Sequence, residues 1–274
     1  MSADMQLPAE LAGVDTMVFD VDGTLTNADH QVPPRVIESL RRLDAAGVRL
    51  VIASGRAPKS CEHTFTQAGL HGWISACNGA HVADIATGEV LRTRTVPAEM
   101  LAATLDVIEE ADVPCSIMTA EDVLVNKDSF LTGFLEAANP GVEVEVADLR
   151  AVDPDTILKL MPAADKDTMA ELFPRFKEIA PNASLSLDET CEVIGPGAEK
   201  ADGVGFLIEH LGFDAQHIAG VGDGGNDVEW LKLVGWPIAM ANAREEVKEI
   251  ARLQIGHHLD EGVVEFVDAF LGLR

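Results

Sequence analysis

The sequence predicts an α/β fold, in which a doubly wound (Rossmann-like) parallel sheet forms the core and an α+β domain is inserted between its halves. Two observations predict the sheet: the first and the last third of the chain each alternate short apolar runs with stretches of helical periodicity. A third observation predicts the insertion, because residues 84–189 change to short alternating segments with a hairpin-like start. We therefore assign residues 1–83 and 190–274 to the core and residues 84–189 to the inserted domain.

The first third of the chain is predicted to form a β-α-β-α-β unit. Its apolar, β-branched runs predict three strands, at Met17–Phe19, Val48–Ser54 and Trp73–Cys77. The first helix is predicted to begin after Pro33 and to end at Gly47, because proline suits the first helical turn and glycine the position after the last one. The second helix is predicted to extend to about Gly69.

The last third of the chain is predicted to repeat this alternation. A helical face is predicted from apolar residues at helical spacing, namely Val204, Leu207, Ile208 and Leu211. Two further strands are predicted at His217–Gly222 and Trp236–Met240. Each of them is followed by a predicted helix, over residues 226–235 and 243–253 respectively. Both thirds therefore fit as halves of one sheet.

The charge of the chain excludes two classes of partner. The 274 residues include 46 acidic and 20 basic side chains, which gives a formal net charge of -26. Such a surface repels phosphate backbones and anionic lipids, so neither nucleic acid nor a membrane is expected as a partner. An ordinary solvated acidic surface is favoured over adaptation to a salty cytoplasm, and both explanations stay open.

Cysteine usage and the N-terminal residues predict a cytoplasmic protein. The four cysteines lie far apart without a C-x-x-C pair, which argues against a zinc knuckle and predicts reduced thiols. The N-terminal segment has neither a basic region nor an apolar stretch of signal-peptide length. No apolar run approaches the ~20 residues that span a bilayer.

Polar clusters follow three of the predicted strands. They read Asp20-Val21-Asp22-Gly23-Thr24, Ser54-Gly55-Arg56 and Gly222-Asp223-Gly224-Gly225-Asn226-Asp227. Because the carboxyl ends of parallel strands form the ligand crevice of an open sheet, we expect the three clusters to meet in space. Carboxylate oxygens of Asp20 and Asp223 suit Mg²⁺, which takes one or two protein carboxylates and a substrate phosphate. The absence of a Cys/His cluster in the sequence argues against zinc.

These residue types suit phosphoryl transfer. Asp20 can attack a phosphorus atom to form an aspartyl-phosphate, and Asp22 is close enough to exchange a proton with the leaving alkoxide and the attacking water. Ser54 can donate its hydroxyl to a phosphoryl oxygen, and Gly55 allows close approach of the backbone. Since one Mg²⁺ leaves part of the negative charge of the aspartates and the phosphate unbalanced, we expect a lysine, Lys200, and a protonated Asp22.

The chain resembles the haloacid-dehalogenase-like phosphatases, and in particular their Cof-type branch. The resemblance rests on "FDVDGTL", "ASGR", Lys200 and "GVGDGGNDVEWL" in this order, with "NGA" and "PIAMANAREEVKEIA" typical of the branch. The inserted domain lies where that branch carries its cap domain, and "ILKLM" around Lys159 is similar to a cap strand.

The resemblance implies a role for each matching residue. It implies Asp20 as nucleophile, Asp22 as acid/base, and Ser54 and Lys200 as further catalytic groups on the phosphate. Residues implied in shaping the phosphate or substrate site are Gly23, Thr24, Gly55, Arg56 and Asn226. Residues implied at the Mg²⁺ site are Asp20, Asp22 through its backbone carbonyl, Asp223 and Asp227.

We therefore predict an Mg²⁺-dependent phosphatase that hydrolyses small phosphorylated metabolites, such as sugar phosphates, phosphorylated vitamins or glycolytic acids. Two alternatives stay open: a sugar phosphomutase or phosphotransferase of the same superfamily, and a non-catalytic module that binds a phosphoryl group.

The loop "HHLDEGV" departs from the branch, and we predict solvent-exposed histidines at His257 and His258 rather than a metal pair. The sequence indicates no oligomeric state.

Overall fold

The computed structural model describes residues 5–274 as two β-sheets with their helices. The first four residues of the predicted core, and of the segment used to predict localisation, lie outside the described residues. The strands are β1 (Thr16–Phe19), β2 (Arg49–Ala53), β3 (Trp73–Ala76), β4 (His81–Asp84), β5 (Glu89–Thr93), β6 (Cys115–Met118), β7 (Val123–Val125), β8 (Val144–Val146), β9 (Lys159–Pro162), β10 (Ser184–Leu187), β11 (Thr190–Ile194), β12 (Ile218–Gly222), β13 (Trp236–Met240) and β14 (Leu253–Ile255).

The α-helices each follow a group of one to three of these strands. They are α1 (Pro34–Ala45), α2 (Pro58–Thr66), α3 (Ala98–Ala111), α4 (Phe130–Ala138), α5 (Lys166–Ile179), α6 (Lys200–Leu211), α7 (Val228–Leu231), α8 (Glu245–Ile250) and α9 (Gly262–Leu271). Prolines occupy the first turns of α1 and α2, where the missing N–H is not needed. Among residues 5–274, none of these helices has both the length and the apolar character to cross a bilayer.

The larger sheet confirms the predicted fold class. Its eight strands run in the order β14-β13-β12-β1-β2-β3-β4-β5, and all neighbours from β14 to β3 are parallel. All four residues of β1 are buried, as expected for a central strand covered on both faces. The strands that precede the three polar clusters, β12, β1 and β2, are adjacent in this order, so their carboxyl ends share one edge.

The smaller sheet belongs to the inserted domain, which we call the cap. Its order is β10-β11-β9-β6-β7-β8, and its neighbours are antiparallel except for β7 with β8. The cap has its own buried cluster around Phe176, and the core has one around Trp230. A third buried cluster joins the two domains and includes Cys77 of the core with Met118 and Met161 of the cap.

Sheet membership places the domain boundaries differently from the predicted residues 84 and 190. β5 pairs with β4 in the core sheet because the turn after Asp84 closes a hairpin there, whereas β11 pairs with β9 and β10 in the cap sheet. The two connecting segments run side by side: a Cβ on Gly195 would lie 2.3 Å from the carbonyl oxygen of Thr95. Glycine therefore permits this close approach at the junction.

Two predicted helices of the last third are shorter than expected. The helix predicted over residues 226–235 is the single turn α7, which follows a 3-10 turn at residues 225–227. The helix predicted over residues 243–253 ends at Ile250, and the following residues form the unpredicted strand β14. Leu253 and Ile255 alternate with a polar residue and pair with β13, so sheet pairing prevails over helical periodicity there.

Candidate active site

The three polar clusters meet at the carboxyl edge of the core sheet, under the cap. Lys200, the first residue of α6, lies between carboxylates that come from two different loops. Its Nζ donates to Oδ1 of Asp20 at 2.6 Å and to Oδ1 of Asp227 at 2.8 Å. The side chains of all three are at most 7% exposed. The structure thus brings together the predicted nucleophile and the predicted lysine in a buried ion pair.

Asp227 holds Lys200 and the third site loop in place through hydrogen bonds to its carboxylate. Its Oδ1 accepts from Lys200 and from the indole N–H of Trp230, and its Oδ2 accepts from the backbone N–H groups of Asp223 and Gly224. A carboxylate offers about four acceptor sites, so these four donors use all of them. Although oxygens of Asp20, Asp223 and Asp227 lie within 4.8 Å of one another, Asp227 is therefore better suited to hold the loop than to bind a metal.

Crowded negative charge is the main electrostatic feature of the site. Burial and the neighbouring Asp227 raise the pKa of Asp20 well above its ordinary value, against the opposing effect of Lys200. Burial and Asp227 likewise raise the pKa of Asp223 to about 6. Lys200 remains charged, because the two carboxylates outweigh its own burial and raise its pKa. One lysine does not balance these carboxylates, and the oxygen donor set of Asp20 and Asp223 fits a hard divalent cation.

Asp22 has two basic neighbours that favour its ionised form, so the protonated Asp22 expected beside a substrate phosphate stays a prediction. Arg56 donates to both of its oxygens, from Nε at 2.8 Å and from Nη2 at 2.7 Å, and Nδ1 of His30 lies 3.0 Å from Oδ1. Burial opposes ionisation, but the bonds from Arg56 and His30 outweigh it and hold the pKa of Asp22 well below its usual range. The carboxylate side chain is 41% exposed, so it is accessible in a way that Asp20 is not.

Asn242 is a residue of the site that the sequence did not identify. Its Nδ2 donates to the carbonyl oxygen of Gly23 at 2.8 Å and to Oδ2 of Asp223 at 3.2 Å, and Oγ1 of Thr24 donates to the other oxygen of Asp223. Gly23 has a positive φ, and a Cβ there would lie 2.4 Å from Asp223. Asn242 is the second residue after β13, so its position near the carboxyl end of a core strand was the feature of the sequence that could have identified it.

The histidine loop supports Asn242. The backbone N–H of His258 donates to Oδ1 of Asn242, and Nδ1 of His258 lies 2.7 Å from the carbonyl oxygen of Thr26. His257 stacks on His258, and both are half-buried. The prediction of a solvent-exposed side chain is therefore wrong for His258, because the loop folds back on the first site loop and His258 contacts that loop.

A cavity of about 340 Å³ lies between these core residues and the cap. Predicted site residues that line it are Asp20, Asp22, Gly55, Arg56, Lys200, Asp223 and Asn226. Four others, Gly23, Thr24, Ser54 and Asp227, do not line it. Ser54 is buried, and its Oγ accepts from the backbone N–H of Arg56.

The cap contributes a second buried ion pair that the sequence did not reveal. Nζ of Lys159 donates to Oε1 of Glu192 at 2.8 Å and to the carbonyl oxygen of Gly55 in the core at 2.5 Å. Oε2 of Glu192 accepts from Nδ2 of Asn78, again in the core, at 2.8 Å. Both members of the pair face the cavity and tie the cap to the loop after β2.

Comparison with known proteins identifies the family. A family profile described as haloacid dehalogenase-like hydrolase matches residues 17–267. YkrA from Bacillus subtilis (strain 168), named as a candidate phosphatase, is 30% identical over 262 residues, which cover 93% of this chain and 96% of that protein. The HMP-PP phosphatase of Enterobacter sp. (strain 638) is 26% identical over 259 residues, with 92% and 94% covered.

Solved structures share the fold. A haloacid dehalogenase-like hydrolase from Bacteroides thetaiotaomicron superimposes with a TM-score of 0.84 at 24% identity, covering 93% of this chain and 98% of that one. A sugar phosphatase of haloacid dehalogenase subclass IIB does so with a TM-score of 0.78 at 24% identity, covering 95% and 100%. The chain belongs to the haloacid dehalogenase-like hydrolases, and the predicted class of phosphoester hydrolase is confirmed.

Proposed function

We propose that this hydrolase is an Mg²⁺-dependent phosphatase, which cleaves phosphate esters of small metabolites through an aspartyl-phosphate on Asp20. The observation that carries the proposal is the buried contact of Asp20 with Lys200, at the floor of a cavity that also exposes Asp22. A nucleophile, a fixed cation and an accessible acid/base thus face one space.

Residues of the first and third site loops would hold the metal. We assign the contacts to Asp20, Asp223 and the backbone carbonyl of Asp22. Asn242 and Thr24 fix the orientation of the Asp223 carboxylate through hydrogen bonds to its two oxygens. When bound, Mg²⁺ would neutralise charge on the phosphoryl oxygens and let the carboxylates ionise together.

Asp20 performs the first step. Its backbone N–H is fixed by the carbonyl oxygen of Val221 in the neighbouring strand end, and Lys200 holds its carboxylate. A carboxylate oxygen attacks phosphorus, the bond from phosphorus to the ester oxygen breaks, and the electron pair leaves with the alkoxide. Lys200 also stabilises the negative charge that the phosphoryl oxygens carry during transfer.

Asp22 performs the proton transfers. Arg56 and His30 contact its carboxylate and favour the ionised form, which is that of a base. An approaching phosphoryl dianion disfavours this ionised form, so substrate binding favours its protonation. The protonated Asp22 gives its proton to the leaving alkoxide and then, as a carboxylate, takes one from the water that attacks the phosphoenzyme.

The size of the cavity and the relatives support small substrates. A cap over a cavity of about 340 Å³ leaves space for a small molecule and excludes a folded phosphoprotein. Similar proteins are named HMP-PP phosphatase and sugar phosphatase. We also propose a cytoplasmic location, because all four cysteines are free and buried.

Phosphate release from a panel of small phosphomonoesters tests the proposal, with and without Mg²⁺, for the native chain and Asp20→Asn. We expect turnover that depends on the metal and is abolished by the substitution. Isomerisation of an ester without phosphate release would instead indicate a phosphotransferase. Binding of Mg²⁺ and esters without any turnover would indicate a binding module.

A further inference from the structure

We propose that the substrate is the monophosphate ester of an uncharged, largely apolar ring compound rather than of a sugar or a second anion. This inference rests on the proposed phosphatase function and concerns only the part of the substrate that leaves with the ester oxygen. It follows from what the cap places opposite the carboxylates: an apolar wall, polar groups that are already paired, and balanced charges.

The wall of the cavity on the cap side is mainly apolar. It is formed by Met118 of β6, Met161 of β9, Phe134 and Leu135 of α4, and Leu187 of β10. Phe134 also packs its ring edge-to-face against His30, with centroids 6.1 Å apart, so the wall begins directly beside Asp22. An apolar ring gains free energy against such a wall, whereas sugar hydroxyls lose their water there.

Polar cap residues that line the cavity already have partners. Oδ1 of Asn139 accepts from the backbone N–H of Ala57, and its Nδ2 donates to the carbonyl oxygen of Leu135. The hydroxyl of Ser186 is bonded to that of Thr190 at 2.8 Å. A sugar would therefore bring several hydroxyls to groups that have few hydrogen bonds left to offer, and unpaired polar groups are costly when buried.

The lysine and arginine side chains that face the cavity are also paired with carboxylates. Lys159 and Glu192 neutralise each other on the cap side, with side chains 1% and 9% exposed. On the core side Arg56 is matched by Asp22, and Lys200 by Asp20 and Asp227. Nη1 of Arg56 has no partner among residues 5–274, but this atom is itself buried and is not offered to the cavity. A carboxylate or second phosphate would find no unmatched lysine or arginine among the described lining residues.

Three esters of primary alcohols test the inference on the native chain with Mg²⁺: benzyl phosphate, 4-carboxybenzyl phosphate and glucose 6-phosphate. We expect kcat/KM for benzyl phosphate to exceed that of each of the others by about tenfold or more, since pocket contacts of this size discriminate on that scale. An equal or higher value for glucose 6-phosphate, or for the carboxylated ring, would overturn the inference and leave the phosphatase function intact. Failure to hydrolyse any ester would overturn both.

The variant Met161→Gln tests whether the apolar wall causes the preference for benzyl phosphate. Met161→Gln keeps the length of the side chain and adds an amide, so the ratio of kcat/KM for benzyl phosphate to that for glucose 6-phosphate is expected to fall about fivefold. Met100→Gln is the matched control, because Met100 packs on the cap core and does not line the cavity. An unchanged ratio in a folded Met161→Gln protein would contradict the assigned wall. If this variant does not fold, the comparison of the three esters on the native chain still tests the preference for an uncharged ring.

Discussion

Two buried lysines face the same cavity from opposite sides, and they differ in how their charge is matched. Lys200 of the core contacts two carboxylates, with a third, Asp223, close by. Lys159 of the cap contacts one carboxylate, Glu192, and a backbone carbonyl. The core cluster therefore carries excess negative charge, whereas the cap cluster is neutral.

The difference in charge indicates that the core cluster serves the reaction, whereas the cap pair forms part of the wall that contacts the substrate. Excess carboxylate charge is costly in a buried site unless a cation balances it, so the core cluster is suited to a metal that can also bind a phosphoryl group. A balanced ion pair with its hydrogen bonds satisfied needs nothing further, so the cap pair forms a neutral part of the wall. Substitution of each lysine should expose this difference.

The largest effect is expected for Lys200→Met. Loss of the ammonium leaves Asp20 and Asp227 buried without their partner, so we expect kcat/KM to fall by about 10³-fold and the free energy of unfolding to fall by roughly 3–5 kcal/mol. Phosphate release and urea unfolding measure the two quantities. Lys232→Met, at an exposed lysine, is the control. Activity within tenfold of the native chain would contradict the assigned role.

Lys159→Met should also destabilise the protein by roughly 3–5 kcal/mol, because it leaves Glu192 unpaired. Here, however, the double variant Lys159→Met/Glu192→Leu should recover most of that loss and keep phosphatase activity, since an apolar pair can replace a neutral ion pair. Urea unfolding of the two single variants and the double variant gives the coupling free energy. If the losses of unfolding free energy in the two single variants simply added in the double variant, Lys159 and Glu192 would not stabilise the protein as a mutually neutralising pair.

Asn242→Ala should weaken Mg²⁺ binding by about 10- to 100-fold, because residues that orient a ligand carboxylate have effects of that size. Calorimetric titration of Mg²⁺ into the native chain and the variant measures it. Asn182→Ala is a matched control, since this amide also donates to a backbone carbonyl but lies in the cap. Equal affinities for the native chain and Asn242→Ala would contradict the support that Asn242 gives to Asp223.

The smallest effect concerns pH. Asp223 has a pKa of about 6 in the folded protein against an ordinary 3.8, so its contribution to stability is complete below 3.8 and is lost as pH rises towards 6. We expect the melting temperature of the metal-free native chain, minus that of Asp223→Asn, to fall across this range. Above pH 6, added Mg²⁺ should raise the melting temperature of the native chain again. A difference that rises with pH would contradict the crowding of carboxylates.

Much of the core half of the site could be predicted from the sequence, because Asp20 and Asp223 follow adjacent parallel strands. Lys200 begins α6 after a cap strand, so it was expected from the balance of charge and from the resemblance rather than from the sheet order. The state of Asp22 could not be predicted, because it depends on Arg56 and on His30, which has a positive φ of 57°. That conformation is set by the folded loop and leaves no clear pattern in the sequence.

The cap half could not be predicted for a different reason. Lys159 meets Glu192 through the antiparallel pairing of β9 with β11, in which Lys159 lies opposite Ile194. Register between strands that are separated by a helix and another strand is not determined by local periodicity. Strand pairing also assigns β5 to the core sheet and β11 to the cap sheet. Local periodicity does not determine this pairing, so the sheets divide the chain at other residues than the predicted 84 and 190.

Acid quenching during turnover, followed by mass measurement of the peptide that contains Asp20, tests most directly whether Asp20 is the nucleophile. We expect one phosphoryl group on Asp20 in the native chain, and its accumulation in Asp22→Asn, where the water that attacks the phosphoenzyme lacks its base. Asp20→Asn should give neither the adduct nor phosphate. Rapid phosphate release by Asp20→Asn, with no adduct on Asp20 in any variant, would contradict the assignment of Asp20 as the nucleophile.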